Sequence, residues 1–299
     1  MSWFLFAILG YFLYAVVTVF NKFLLHQKAT TKPFVFTFWV GIFSIFTFIL
    51  IPFGLHWPGW SFFIFDIFVG VVYYVALLAY YWALDVNEAS RAASIVGGFT
   101  PILVLILAFM FLGDKLTWLQ LIAFFLLVGG GFLISLKMEE GNLKEGMKGL
   151  KFIILTILLG AVYWILAKFA YQNQGFITGF VWTRMGLVAG SLLILLYKPW
   201  RSLILGSVRQ ASVGMGSLMV SSKIIAGFGS LFVNLALSRG SASLTNAMQG
   251  IEYVFLFGLT LLFSMKFPQI LREKQNGVII IQKIIAILLI ASGLAILAF

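Results

Sequence analysis

Charged residues stand inside otherwise apolar stretches of this chain, among them Asp66, Lys168, Arg184, Lys223 and Glu252. A charge at the centre of a lipid bilayer costs at least about 2.5–3.5 kcal/mol by insertion scales, so a chain keeps one there with a partner or a wet cavity. Lys223 lies ten residues into the apolar run 213–237, and Glu252 eleven residues into 241–264. At a rise of about 1.5 Å per residue both sit roughly 15 Å from either surface, too deep for a lysine stem to reach water. The two runs are joined by a short turn, so the spacing predicts that Lys223 and Glu252 meet in a central cavity. There Glu252 would hold a cationic group or a proton, and Lys223 a carboxylate. A purely structural ion pair between two helices is the other reading. Arg184, seven residues into 177–197, reads either as an anion anchor or as a side chain reaching the headgroups. Asp66 reads as interfacial and Lys168 as snorkelling.

The uncharged candidates are Asn234, Asn246 and Gln249, whose amides bind either a solute or a neighbouring helix. Trp39, Tyr73, Tyr74, Tyr163, Trp164 and Trp182 lie well inside their runs. They can wall a pocket by stacking or cation–π contact, or pack as core. Gly97, Gly98 and Pro101 in one run, and Gly227 and Gly229 in another, are candidate hinges, since proline removes a backbone bond and glycine relaxes the helix. Neither His26 nor His56 is deep, there is no cysteine, and no HExxH or GxxxxGK[ST] occurs. We therefore expect no catalytic residue, no metal, no cofactor and no ATP drive within this chain.

These residues are set in a sequence of 299 residues, 62% hydrophobic and 10% charged. Soluble domains carry about 45–50% apolar and about 25% charged residues. Polytopic membrane proteins are the class that remains. The net charge of +11 falls mostly in short loops, which suits anionic lipid headgroups rather than nucleic acid. Ten runs are long enough to cross a hydrocarbon core of roughly 30 Å: 3–24, 33–54, 62–84, 90–112, 117–136, 150–171, 177–197, 213–237, 241–264 and 279–298. They are solid rather than alternating, so helices are expected and not a barrel. The first run reads as a span rather than a cleaved leader.

A charged stretch, 138–149, divides the runs five and five, predicting a first repeat over 1–137 and a second over 150–299. LQLIAFFLLVGGGFLI (119–134) aligns without gaps on IQKIIAILLIASGLAI (281–296), Gln120 on Gln282 and Gly131 on Gly293. Ala93-Ser94 matches Ala242-Ser243, and Gly10 and Tyr14 match Gly160 and Trp164. Five is odd, so the second unit must enter the membrane in the opposite sense. The expected fold is an all-α membrane protein of ten transmembrane helices, arranged as two inverted five-helix repeats. Inverted repeats exchange conformations, which gives alternating access around a midplane site.

ASRAASIVGGFTP (89–101), FLGDKLT (111–117) and the glycine-rich run after them resemble the drug/metabolite transporter superfamily, specifically its EamA-type ten-helix members. GSASLTNAMQG (240–250) is similar to the corresponding helix start in the second half, with Gly250 where Pro101 stands in the first. The resemblance departs at Gly113-Asp114, where a Gly-Glu pair is usual, and near Phe263-Ser264, where the Gly-acid pair is absent. It implies secondary transport, by export or exchange, of small metabolites such as amino acids across a cell membrane. The implied partners are that solute, membrane lipid, and a proton or counter-substrate. A flippase for lipids or lipid-linked carriers on the same scaffold is the alternative; a membrane-embedded enzyme is a weaker one. Fifteen of the twenty Lys and Arg flank the odd-numbered loops, which by the positive-inside rule puts both termini outside. The resemblance implies both termini inside.

Overall fold

The computed structural model describes residues 2–26, 32–86, 89–136, 149–210, 213–264 and 277–298. The charged stretch 138–149 therefore lies outside the described residues except for Gly149. Among the described residues there is no strand. The helices are α1 (Ser2–His26), α2 (Pro33–Phe43), α3 (Trp60–Val86), α4 (Ala89–Leu107), α5 (Trp118–Ser135) and α6 (Leu150–Gln174). They continue as α7 (Phe176–Ile194), α8 (Lys198–Gln210), α9 (Val213–Arg239), α10 (Ala242–Ala247), α11 (Gly250–Ser264) and α12 (Gly277–Ala298). A 3-10 stretch over Ser44–Phe53 lengthens α2, and a π-helical turn over Ala108–Leu112 lengthens α4. With α10 and α11 counted as one broken span, ten segments are long and apolar enough to cross a membrane. Leu5, Ile49, Phe68, Phe109, Phe125 and Leu288 point outward, as lipid-facing side chains should.

Local chemistry sets the ends. Thr117 and Gln120 form a capping box at the start of α5, and Ser241 caps α10 by accepting from the Leu244 amide at 3.2 Å. Gly54 and Gly113 close their helices with φ of 103° and 65°, a region that favours glycine. Gly175, at φ 77°, is by itself the whole connection between α6 and α7. The chain after α7, expected as a loop, instead forms the amphipathic helix α8. Its Ile204 is buried, and its Trp200 stacks on Phe34 of α2 at 5.2 Å. Its amphipathic pattern suits a headgroup plane, and its Lys198 and Arg201 are exposed.

The helix contacts come in matched pairs. α1 packs along α9 as α3 packs along α6; α1 meets α11 as α4 meets α6. α4 meets α5 as α11 meets α12, and α2 meets α3 as α7 meets α9. Exchanging the two sets of five spans turns each member of a pair into the other. The α5–α12 seam maps onto itself, with Gly130 against the Ala286 carbonyl and Gly293 against that of Ala123. This arrangement is compatible with the inverted repeat.

The expected hinges are not interruptions here. α4 runs unbroken through Gly97, Gly98 and Pro101, and α9 through Gly227 and Gly229. Gly98 packs on the Phe132 ring, Gly97 faces the Tyr253 hydroxyl, and Gly229 lies against Gly10 and Tyr14 of α1. The break falls elsewhere, at Met248 and Gln249 between α10 and α11.

Candidate functional site

α7 is the most enclosed span, with two thirds of it buried. Small residues allow this. A Cβ at Gly70 of α3 would run into the Thr183 carbonyl oxygen and Gly186, and one at Gly190 would strike the Tyr74 ring. This tight seam holds Arg184 at mid-span, 6% exposed. Its Nη2 donates to Ser230 Oγ of α9 and, at 3.5 Å, to the Tyr163 hydroxyl of α6. The guanidinium lies 5.3 Å from the ring centre of Tyr73 and 4.9 Å from that of Phe180. Tyr73 and Tyr163 stack at 4.0 Å. Behind them Asn234 Oδ1 accepts from the hydroxyls of Tyr163, at 3.1 Å, and Tyr171, at 2.9 Å. The Asn234 amide in turn donates to the Ser230 carbonyl at 2.8 Å. Tyr14 of α1 reaches Ser230 from the other side.

Among the described residues no carboxylate pairs with Arg184, and no acceptor bonds its Nε or Nη1. Guanidinium carries five N–H donors in a planar fork. The edge left over matches a carboxylate or phosphate oxygen pair. Arginine stays charged, so its burial calls for a counter-charge, and the chain itself provides tyrosine faces and neutral oxygens instead.

Glu252 lies in the first turn of α11, directly after the break, and accepts a hydrogen bond from the Thr18 hydroxyl of α1 at 3.2 Å. Tyr11, Tyr80 and Tyr253 are its phenolic neighbours. Lys223 is elsewhere: its Nζ stands over the Phe36 ring, 3.6 Å from the centroid. The expected Lys223–Glu252 pair is therefore not formed. The reason is α1, which packs on both α9 and α11. It reaches Glu252 through Thr18, and it accepts at Asn21 from Ser222, the neighbour of Lys223, at 3.2 Å. Adjacency in sequence brought the two spans close on paper, but a helix from the other half stands between them.

Asp66, near the start of α3, is fully buried against the neighbouring helices and accepts from Gln174 Nε2 at 3.0 Å. One further expectation is corrected. Lys168 does not snorkel. It donates to the carbonyls of Leu237, Ser238 and Gly240 at 2.8, 3.1 and 2.8 Å, which neutralises the negative end of α9. Nearby, Ser241 donates to Asp114 Oδ2 at 2.7 Å, tying the turn after α4 to the start of α10.

The remaining candidates scatter. Trp164 packs between the two large core clusters, at the edge of the arginine site. Trp39 and Tyr74 belong to a separate aromatic cluster with Phe34, Phe38 and Trp200. Trp182 sits in an outer group with Trp57 and Phe63, its Nε1 donating to the His56 carbonyl at 3.2 Å. Asn246 is buried in α10, and its Oδ1 has no partner. Gln249 is half-buried at the break. Thr18, Tyr11, Tyr14, Ser230 and Tyr171 were not singled out as candidates from sequence. A polar residue repeating every three or four positions along α1 (Tyr11, Tyr14, Thr18, Asn21) was the signal available. Among the described residues no three of His, Cys, Asp or Glu cluster as a metal centre would require.

The site lies in the interior of a bundle of membrane-length helices. Residues 1–136 match the EamA-like transporter family. That likeness lies within the first 136 residues. A protein of known crystal structure, 16% identical, superposes with a TM-score of 0.66 over 96% of this chain and 95% of its own. At that identity the likeness speaks for the fold, and it extends well beyond the residues that match the family. No curated protein matches the chain. The residues that match the family supply Tyr14, Thr18 and Tyr73 to the site, while Arg184, Ser230, Asn234 and Glu252 come from the second half.

Proposed function

We propose that the protein is a secondary transporter of small organic solutes that carry a carboxylate or a similar oxyanion, with Arg184 as the anchor. The single observation behind this is a buried arginine whose free edge has no anionic partner among the described residues. Glu252, whose neighbour Tyr11 stands beside Tyr14, offers a second pole for a cationic group on the solute. Transport proceeds by alternating access between two inverted units of five helices, residues 1–137 and 150–299, joined by 138–149. Phe, Tyr and Trp rings at the site give an organic body something to pack on. This reading includes a cell-membrane location, and the basic residues around the odd-numbered loops support a cytoplasmic position for those loops.

Proteoliposomes offered a panel of radiolabelled amino acids and short carboxylic acids test this. At least one should exchange. Arg184→Leu should cut that flux about 10–100-fold, the worth of a charge-assisted hydrogen bond. Arg184→Lys should recover only part of it, since a point charge cannot replace the fork. Undiminished flux in Arg184→Leu would remove the anchor. A groove of about 490 Å³ runs between Leu105, Phe109, Met110, Asp114, Lys115 and Leu121 on the outer surface of α4 and α5, and its apolar lining beside a charged end supports the lipid flippase as a second reading. Scrambling of a fluorescent phospholipid without solute flux would favour it.

A further inference from the structure

We propose that Asp66 and Gln174 form a proton-binding site that holds α3 to α6. Asp66 is 0% exposed, and its Oδ1 already accepts from Gln174 Nε2 at 3.0 Å. The other atom on each side, Asp66 Oδ2 and Gln174 Oε1, is buried with no hydrogen-bond partner. Two acceptors are thus left over on a pair that is already joined. A carboxyl and a carboxamide are both planar and can lie edge to edge, and in that pairing the two remaining oxygens meet. Two bare oxygens repel there. One proton on Oδ2 turns that repulsion into an O–H···O bond and satisfies both atoms at once. It also removes a buried charge, which otherwise costs several kcal/mol.

The neighbours provide no cation for an ionised Asp66. On α6, Lys168 bonds the end of α9 and Tyr171 bonds Asn234. On α7, Arg184 bonds Ser230 and Tyr163. α2 contains no titratable group, and Arg91 begins α4 at the opposite face of the membrane. His56, in the turn before α3, is engaged with Thr178 at 2.9 Å. A metal cation would demand several more oxygens than this pair offers. Parting α3 from α6 admits water: the O–H bond of Asp66 breaks, its electron pair stays on the carboxylate, and the proton leaves to the face that carries Ser2 and Ala298. The site is independent of the Arg184 anchor, since it needs no solute.

Infrared spectra of the purified protein in lipid vesicles test it directly. In a Glu252→Gln background, the carbonyl stretch of a protonated carboxylic acid should persist at neutral pH. Adding Asp66→Asn should abolish it, and an absent or unaffected band overturns the proposal. Asparagine donates to Gln174 Oε1 and keeps both hydrogen bonds, so the fold should hold. Gln174→Leu keeps the acid but removes its acceptor, and should shift the band to higher frequency; an unmoved band is equally fatal. For the seam, a cysteine at Thr178 in this cysteine-free chain should react faster with maleimide as pH rises. The rise should exceed that in the Asp66→Asn background, where thiol ionisation is the same. Equal rises would show that the proton does not hold the helices together.

Discussion

Asn234 is the keystone of the arginine site, because a single oxygen accepts from two tyrosines while its amide fixes Ser230. Asn234→Leu strands two phenols and loosens the serine that Arg184 grips. Interhelical hydrogen bonds in membranes average about 0.6 kcal/mol and reach about 1.7. The expected loss is therefore about 1–3 kcal/mol, against under about 1 kcal/mol for Tyr171→Phe. Reversible unfolding in micelles measures both, and equal losses would show that the two phenols are not joined through Asn234. At this scale the sequence was half legible. The depth of Arg184, Lys223 and Glu252 followed from apolar run lengths alone. Their partners did not, because a side chain's direction around a helix depends on which neighbour it faces. Thr18 reaches Glu252 across 234 positions of chain, a distance over which no local spacing carries information.

Helix boundaries were far more legible. Every run forecast from hydropathy became a span, since the demand for about 20 apolar residues is imposed by the bilayer and not by tertiary detail. The misses have local causes: α8 is short and amphipathic, and the break at Met248–Gln249 carries no proline. The seam between α3 and α7 makes the sharpest forecast for an element. Gly186→Val would drive a side chain into the Ile67 carbonyl and Gly70. It should lower the melting temperature markedly and also displace Arg184, two residues away, so solute binding fails with it. Gly129, on α5, has nothing within 4 Å of an added Cβ, and Gly129→Ala should be neutral or stabilise by up to about 1 kcal/mol. Similar melting of the two variants would mean that the seam is not tight.

Across the whole molecule the matched contacts are imperfect, and the imperfection is directional. α3 and α9 are both 27 residues long. Gly70 is the eleventh residue of one and Lys223 the eleventh of the other. Gly70 lets α3 close on α7, whereas Lys223 props against Phe36, and α2 and α9 form no comparable seam. Among the described residues the face bearing the termini is tied by Lys168, Asp114 and Asp66, whereas no hydrogen bond joins α2 to α9. A cysteine at Phe36 should consequently react with an impermeant maleimide faster than one at Thr178 in opened membranes. It should be shielded in intact cells if the basic face is cytoplasmic. Equal rates, or labelling from outside, would reverse this picture. Gly175 carries a further implication. A one-residue connection keeps the adjoining ends of α6 and α7 together, and the Arg184–Tyr163 contact ties this hairpin again at mid-span. Tyr163, Tyr171 and Arg184 all ride on it. On the proposed reading of Arg184 as the anchor, a solute's contacts with these tyrosines travel on a single hairpin.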